Sequence, residues 1–176
     1  MSYIPGERQE RALVLAFDLI RNAALGNQHS DRFRDGRQLD WDTIREHAKE
    51  IIDTYDVRPP DPTATAGSLS GGNQQKFVVG REFLRDPDLV VAAHPTRGVD
   101  VGSMEFIHEQ ILQMRDRGVA TVLVSASLDE VLNLSDRIGV LYDGSFVDVV
   151  DPESVTREEM GLLMAGQQRQ EPVAQQ

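Results

Sequence analysis

The sequence contains no cysteine, a single tryptophan and only two lysines, and each shortage removes a class of function. Without cysteine there is neither a disulfide framework nor a thiolate metal site, and His29, His47, His94 and His108 show no ligand spacing. Lys49 and Lys76 neither follow glycine nor precede Ser or Thr. The chain therefore holds no Gly-Lys-Ser/Thr loop, in which a lysine and backbone amides cradle phosphates. Positive charge is scarce as well: 18 Lys and Arg stand against 29 Asp and Glu, and the net charge of -11 opposes attraction to nucleic acid or anionic lipid. Nucleic acid is not an expected partner; proteins or small ligands are. No apolar run approaches the roughly 20 residues that cross a bilayer. The start Met1-Ser2-Tyr3-Ile4-Pro5 lacks the charged and apolar regions of a signal peptide, so the sequence reads as cytosolic.

What is present is enough for one domain, or for most of a larger one: 176 residues, 40% of them hydrophobic. Tyr3-Ile4 ends a short strand before Pro5, and the apolar stretch Ala12-Leu13-Val14-Leu15-Ala16-Phe17 with Leu19, Ile20 and Leu25 is compatible with a helix. Residues 27–40 form a polar loop anchored by Phe33 and Leu39. Asp40 or Asp42 then caps a helix whose apolar positions are Ile44, His47 or Ala48, Ile51 and Ile52, and Pro59-Pro60 stops it. Trp41 reads as a packing anchor of this helical region, since no basic groove surrounds it to make it a base-stacking platform. A second helix opens at Ser70 and runs to the turn at Asp86-Pro87.

Beyond that turn the texture changes. Leu89-Val90-Val91-Ala92-Ala93 and Ala120-Thr121-Val122-Leu123-Val124 are apolar runs without alternation, which predicts parallel strands buried on both faces, and the amphipathic residues 104–114 between them make the crossover helix. A helix over 128–134, a hairpin of Ile138-Gly139-Val140-Leu141-Tyr142 and Phe146-Val147-Asp148-Val149 around Asp143-Gly144, and a helix over 157–164 follow. The Gln-rich end from Gln167 to Gln176 has nothing to bury and is expected to be disordered.

The most informative stretch is Leu69-Ser70-Gly71-Gly72-Asn73-Gln74-Gln75-Lys76, which places a hydroxyl and two glycines at a helix start. Unpaired backbone N–H groups and the positive end of the helix dipole attract anions there, glycines permit close approach, and Ser70 both caps the helix and donates to a phosphate oxygen. By itself such a pattern is also an ordinary serine cap after a turn. Asp31, Asp35, Asp40 and Asp42 are interleaved with Arg32, Arg34 and Arg37 and lack calcium-loop spacing, so they read as a solvated loop.

The full string resembles the signature segment of ABC ATPases, in the version with asparagine at 73 that is typical of simple-sugar and nucleoside importers. Further segments match in the family's order. Tyr3-Ile4-Pro5-Gly6-Glu7-Arg8 resembles its Q-loop neighbourhood, and Pro95-Thr96-Arg97-Gly98-Val99-Asp100-Val101-Gly102 its D-loop. Leu128-Asp129-Glu130-Val131 and Leu134-Ser135-Asp136-Arg137-Ile138 resemble the segment after its switch residue, and Met160-Gly161-Leu162-Leu163-Met164-Ala165-Gly166 the ending of the nucleoside branch. The resemblance implies an α/β fold: a partial P-loop NTPase (ABC ATPase) core with parallel strands plus a helical subdomain. On this expectation residues 1–166 are a partial ABC ATPase domain lacking the P-loop, from the C-terminal part of a second nucleotide-binding domain. The helical subdomain spans about 8–85, the core about 86–150, the C-terminal helix about 157–164, and 167–176 form the tail.

The family's functional side chains carry over only in part. The resemblance assigns Ser70, Gly71, Gly72, Asn73 and Gln74, with Asp100 of the D-loop, to an ATP site shared in trans with a partner domain. The Walker B positions for a Mg²⁺-binding Asp and a catalytic Glu are Ala93 and His94, the switch histidine is Ala126, and the Q-loop glutamine is Gly6. Alanine brings no oxygen to a metal shell, and a neutral imidazole is a poor match for positioning water beside a polyanion. The implied role is therefore an ATP-binding subunit of an importer for nucleosides or simple sugars, peripheral at the inner face of the cell membrane. It holds no catalytic residue and no metal ligand of its own, and ATP and Mg²⁺ sit at the shared site. Implied partners are another ABC ATPase domain, membrane permease subunits and, indirectly, a substrate-binding protein. The alternative is a truncated, non-catalytic interaction module derived from such an ATPase.

Overall fold

The computed structural model describes residues 1–167, which form two compact units divided after Val124. Residues 168–176 lie outside the described residues, and with them nearly all of the segment expected to be disordered.

The first unit is built on a three-stranded parallel sheet, β1 (Ser2–Ile4), β4 (Leu89–Ala93) and β5 (Ala120–Val124), with β4 in the middle. Tyr3 stands beside Val91 and Val91 beside Val122, so Ser2, Ile4, Val90 and Ala92 share one face and Tyr3, Val122 and Val124 the other. Between β1 and β4 the chain makes α1 (Arg8–Arg11), α2 (Leu19–Ala24), the two-residue strands β2 (Arg34–Asp35) and β3 (Gln38–Leu39), α3 (Trp41–Thr54) and α4 (Gly71–Phe83). α5 (Val101–Asp116) is the crossover from β4 to β5. Ile4, Val90 and Ala92 join Phe77, Val78, Ile107 and Ile111 in one core, which also takes Ile44, Ala48 and Ile51 of α3.

Burial on both sheet faces, expected from the unbroken apolar runs, is not what the structure has. Tyr3, Val122 and Val124 are 47%, 50% and 48% exposed, and β5 is exposed at every second residue. The apolar runs record that both faces suit a dry environment; they do not record which face this chain itself covers.

Two helical expectations also change. The stretch 12–17 is not helical: α1 ends at Arg11 and α2 begins only at Leu19. The reason is the buried Asn22, whose Oδ1 accepts from Val14 N (2.9 Å) and whose Nδ2 donates to the carbonyls of Val14, Phe17 and Asp18 at 3.0–3.2 Å. A side-chain amide thus satisfies backbone groups that a helix would have satisfied internally. Trp41, expected as an anchor, is 47% exposed. It is in phase with the buried Ile44, Ala48 and Ile51, but at the first helical position its side chain leans past the helix end. α3 otherwise follows its sequence pattern, with Asp40 Oδ1 capping the amides of Asp42 and Thr43.

One element of this unit had no sequence signal. Arg81 and Glu82 of α4 are both buried, and Arg81 Nε donates to Glu82 Oε1 at 3.1 Å. Arg81 Nη1 also donates to the carbonyls of Ala12 (2.8 Å) and Asn22 (3.2 Å), and Arg85 pairs with Glu82 at 3.0 Å. The network ties α4 to Ala12, at the start of the non-helical segment, and to Asn22 of α2.

The second unit contains α6 (Leu128–Leu134), the antiparallel hairpin of β6 (Ile138–Tyr142) and β7 (Ser145–Val150), and α7 (Arg157–Met164). Asp143 and Gly144 turn the hairpin with φ of 47° and 76°, as the Asp-Gly pair predicts. Thr156 and Glu159 make a reciprocal capping box on α7. Ile138, Val140, Val150, Met160 and Leu163 form the core.

Candidate functional site

The site grows from the start of α4. Ser70 has extended backbone angles (φ -62°, ψ 158°) and is the N-cap, so its carbonyl accepts the first helical bond from Gln74 N (2.9 Å) while its side chain stays outside the helix. Ser70 is exposed, Gly71 and Asn73 are half-buried, and Gly72 and Gln74 are buried. The two glycines have a packing reason that the sequence pattern did not reveal. A Cβ on Gly72 would collide with Asp100 Oδ2 and Ser103 Oγ, and one on Gly71 with the Arg8 guanidinium, with Gly98 O only 3.0 Å away. Their absent side chains let α4 press against the segment that opens α5.

That segment is held by Asp100, the N-cap of α5, whose Oδ1 accepts from Ser103 N (2.9 Å) and whose Oδ2 accepts from Ser103 Oγ (2.8 Å). These bonds hold the Asp100 carboxyl below the usual carboxylate range. Arg8 adds a clamp from the far side: Nη1 donates to Arg97 O (2.8 Å), Nη2 to Gly98 O (3.1 Å) and Nε to Gln74 Oε1 (3.4 Å). Gln74 is consumed within the fold, since Oε1 also accepts from Gln9 Nε2 (3.0 Å) and Nε2 donates to Ala66 O (3.0 Å). Gly98, at φ 66°, supplies the left-handed residue that exposes its carbonyl to Arg8.

Asn73 occupies a different position from Gln74. Its Oδ1 accepts from Arg58 N (2.7 Å), and its Nδ2 donates to Ser70 Oγ (2.9 Å).

At the C-terminal end of β4 the structure brings Gly6, Ala93 and His94 together. A Cβ on Gly6 would lie 3.2 Å from both Ala93 O and His94 Cβ. His94 turns the chain at φ 47° and donates its amide to Val124 O at 2.7 Å. With no side-chain oxygen on Ala93, these residues do not fit a divalent cation, and among the described residues no three His, Cys, Asp or Glu could hold a metal ion. Ala126 belongs to the second unit. The structure brings Ser70 to Gln74, assigned from the sequence, together with Asp100, and adds Arg8, Arg58 and Ser103, which the sequence reading did not single out as site residues. Only Ser103 left a signal, as the third residue after a capping Asp.

The signature-like helix start, its D-loop-like neighbour and the parallel sheet thus pack within one unit, and similarity to known proteins gives the family. The chain is 43% identical over 171 residues to the guanosine import ATP-binding protein NupO of Bacillus subtilis, covering 97% of this chain and 34% of that protein. It is 42% identical over 166 residues to the nucleoside import ATP-binding protein NupA of Lactococcus lactis (94% and 33%), and 46% identical over 168 residues to the glucose import ATP-binding protein TsgD13 of Haloferax volcanii (94% and 30%). The chain belongs to the ABC transporter ATP-binding proteins of the simple-sugar and nucleoside importer family. It spans about a third of the length of the curated relatives it matches, which fits the C-terminal part of a second nucleotide-binding domain. No family model matches. Its fold is that of ABC cassettes: a dimeric ATP-binding cassette in a post-hydrolysis state, bound to ADP and Pi, superposes with a TM-score of 0.70 over 86% of this chain and 62% of that one, at 19% identity.

Within this ABC fold the charged caps make a measurable prediction. The carboxyls of Asp40 and Asp100, bonded to Thr43 and Ser103, and of Asp56 and Asp61, bonded to Arg58 and Thr63, are all held below the ordinary Asp range. A depressed folded pKa gives stability that is complete above the unfolded value and lost as pH falls through the folded one. The melting temperature should therefore hold level above the ordinary carboxylate range and drop below it, with Asp100→Asn dropping less steeply. Thermal melts from pH 7 to 2 in which acid raises stability, or Asp100→Asn steepens the fall, would contradict this.

Proposed function

We propose that the chain is the ATP-binding part of an ABC importer for a nucleoside or simple sugar and supplies its signature segment to an ATP held by a partner ATPase domain. The observation that carries this reading is the exposed Ser70 at the first turn of α4, backed by Gly72 against Asp100 and Ser103 and by the Arg8 clamp. A 13-residue helix start offers unpaired N–H groups, a positive dipole end and a hydroxyl to a phosphate. Residues 69–76, with Asp100 alongside, form the face toward the partner's ATP.

The complementary groups come from elsewhere. At that shared site the lysine-bearing loop, the Mg²⁺-binding carboxylate and the catalytic base are the partner domain's; Ala93, His94 and Ala126 supply no carboxylate and no switch histidine. This chain is then not the hydrolytic member by itself. The helical part, about residues 8–85, docks on permease subunits at the inner face of the membrane. Residues 86–150 serve as the ATPase core, and a substrate-binding protein takes part indirectly. The relatives' names support nucleosides, guanosine and glucose as the substrate range to test.

The test is ATP-dependent assembly. By calorimetry the chain alone should bind Mg-ATP only weakly, because a helix start without a lysine and phosphate cradle makes few phosphate contacts. Mixed with a partner ATPase domain that carries its own P-loop but is blocked in hydrolysis, it should form a heterodimer with Mg-ATP and none with ADP, read by analytical ultracentrifugation. Association indifferent to nucleotide would favour a non-catalytic interaction module. Micromolar ATP affinity of the lone chain would reveal a nucleotide site of its own.

A further inference from the structure

From the geometry around Ser70 we infer that Asn73 is a positioning residue that makes the Ser70 hydroxyl a dedicated hydrogen-bond donor, directed at an oxygen that carries no proton. The inference rests on the proposed contact between Ser70 and a phosphate, and it adds the reason this hydroxyl accepts a phosphate and refuses most other groups.

The orientation of the Asn73 amide is settled by its neighbours. Arg58 N is a backbone donor and nothing else, so the amide atom 2.7 Å from it is the oxygen, and the amide nitrogen faces Ser70 Oγ at 2.9 Å. The backbone N–H of Asn73 points to the same Ser70 oxygen at 3.4 Å. A serine hydroxyl has two acceptor directions and one proton. Both acceptor directions are taken by the one residue, Asn73, and the remaining capacity is the proton. Ser70 is exposed at the helix start, so that proton is available to the ligand side.

The consequence is chemical selectivity. A group that needs an acceptor, such as an ammonium, a guanidinium or a donating hydroxyl, finds no lone pair on Ser70. A phosphate oxygen, an acceptor with negative charge, finds an oriented O–H and the helix amides behind it. Asn73 thereby acts through Ser70 instead of touching the nucleotide. Aspartate at 73 is the informative substitution. Its side chain still accepts the bond from Arg58 N but presents Ser70 Oγ with an acceptor where the amide donor stood, so the hydroxyl proton turns inward and, with only the backbone N–H of residue 73 still donating, a lone pair faces the phosphate.

A double-mutant cycle tests this in the assembled ATPase, the chain with its partner domain, by steady-state ATP hydrolysis. Ser70→Ala should lower kcat/KM about 10- to 100-fold, the scale of a hydrogen bond to a charged group. Asn73→Asp should lower it at least as much. The double variant should fall no more than about threefold below Ser70→Ala, because the residue that Asn73 orients is already gone. Losses that multiply would mean that Asn73 meets ATP itself or that the new charge acts directly, and would overturn the inference.

A nucleotide-free measurement separates this from failure of the functional reading. In the chain labelled with ¹⁵N only at Asn22, Asn27, Asn73 and Asn133, the Asn73 side-chain amide protons should exchange with solvent about tenfold faster in Ser70→Ala than in wild type. If Ser70→Ala leaves ATP hydrolysis unchanged while this exchange accelerates, the shared-ATP reading falls and the Asn73–Ser70 coupling stands. If the exchange does not change, the coupling itself is absent and the inference is wrong.

Discussion

Ser70→Arg should abolish transport in vesicles containing the chain, its partner ATPase domain and the permease subunits, and should lower ATP hydrolysis by about 10²–10³-fold, the scale on which removing a preorganised donor to a developing charge is felt. Two effects of the arginine compete. Its positive charge attracts a polyphosphate, but near a solvated surface that is worth only about 1–4 kcal/mol at 4 Å before ion screening. Against it stand loss of the N-cap, about 1 kcal/mol, loss of the exposed Ser70 hydroxyl donor at the helix start, and a long side chain in the space that the phosphate enters. Because Gly72 is already pressed against Asp100 and Ser103, α4 cannot retreat to make room. The steric term therefore wins. His94→Ala, measured beside it, should change both rates by less than about threefold, since the neighbouring Ala93 leaves that position without a metal ligand. If the histidine variant is the more damaged, the end of β4 takes part in the chemistry and the division of labour between domains is wrong.

The largest effect on stability should come from Arg81→Leu. The guanidinium is buried, and its loss strands Glu82 beside a single remaining partner, Arg85, and removes the donor shared by the carbonyls of Ala12 and Asn22. Burial pushes the Arg81 pKa down, a sign that the charge is held against a desolvation cost and kept by its partners. Breaking one side of such a network costs about 3–5 kcal/mol, enough to lower the melting temperature by roughly 10 °C in a chain of this size. Arg81→Leu combined with Glu82→Gln should recover part of the loss, because the stranded carboxylate is then neutral. Urea titrations followed by circular dichroism decide it. A single variant within 1 kcal/mol of wild type would show that the buried pair contributes little.

The capped elements are the legible ones. Asp40, Ser70, Ser127 and Thr156 are residue types that cap helices, and α3, α4, α6 and α7 begin where those residues predict. β4 and β5 follow from unbroken apolar runs, and the hairpin from Asp143-Gly144. What the sequence conceals is long-range and polar. The segment 12–17 has helical composition, and only the position of Asn22 in space shows why it turns instead. Arg8 reaches partners 66 to 90 residues away, a distance at which no periodicity operates. At the helix start the residue types were readable, whereas the division among them was not: Gln74 looks as available as Asn73 on paper, yet it is buried and spends its amide on Ala66, Arg8 and Gln9.

The close seat of Gly72 on Asp100 and Ser103 has a further meaning for engineering. With no side chain between them, the turn before α4 and the turn before α5 share one surface, and neither tolerates a partner of another shape. A substitution that enlarges position 72 requires the side chains at 100 and 103 to move or shrink with it, so the two stretches are coupled in any redesign. A chimera that borrows residues 69–76 from a distant cassette therefore has to borrow 97–103 from the same donor, with Arg8 to lock them. Otherwise the graft arrives with its own helix start and someone else's floor beneath it.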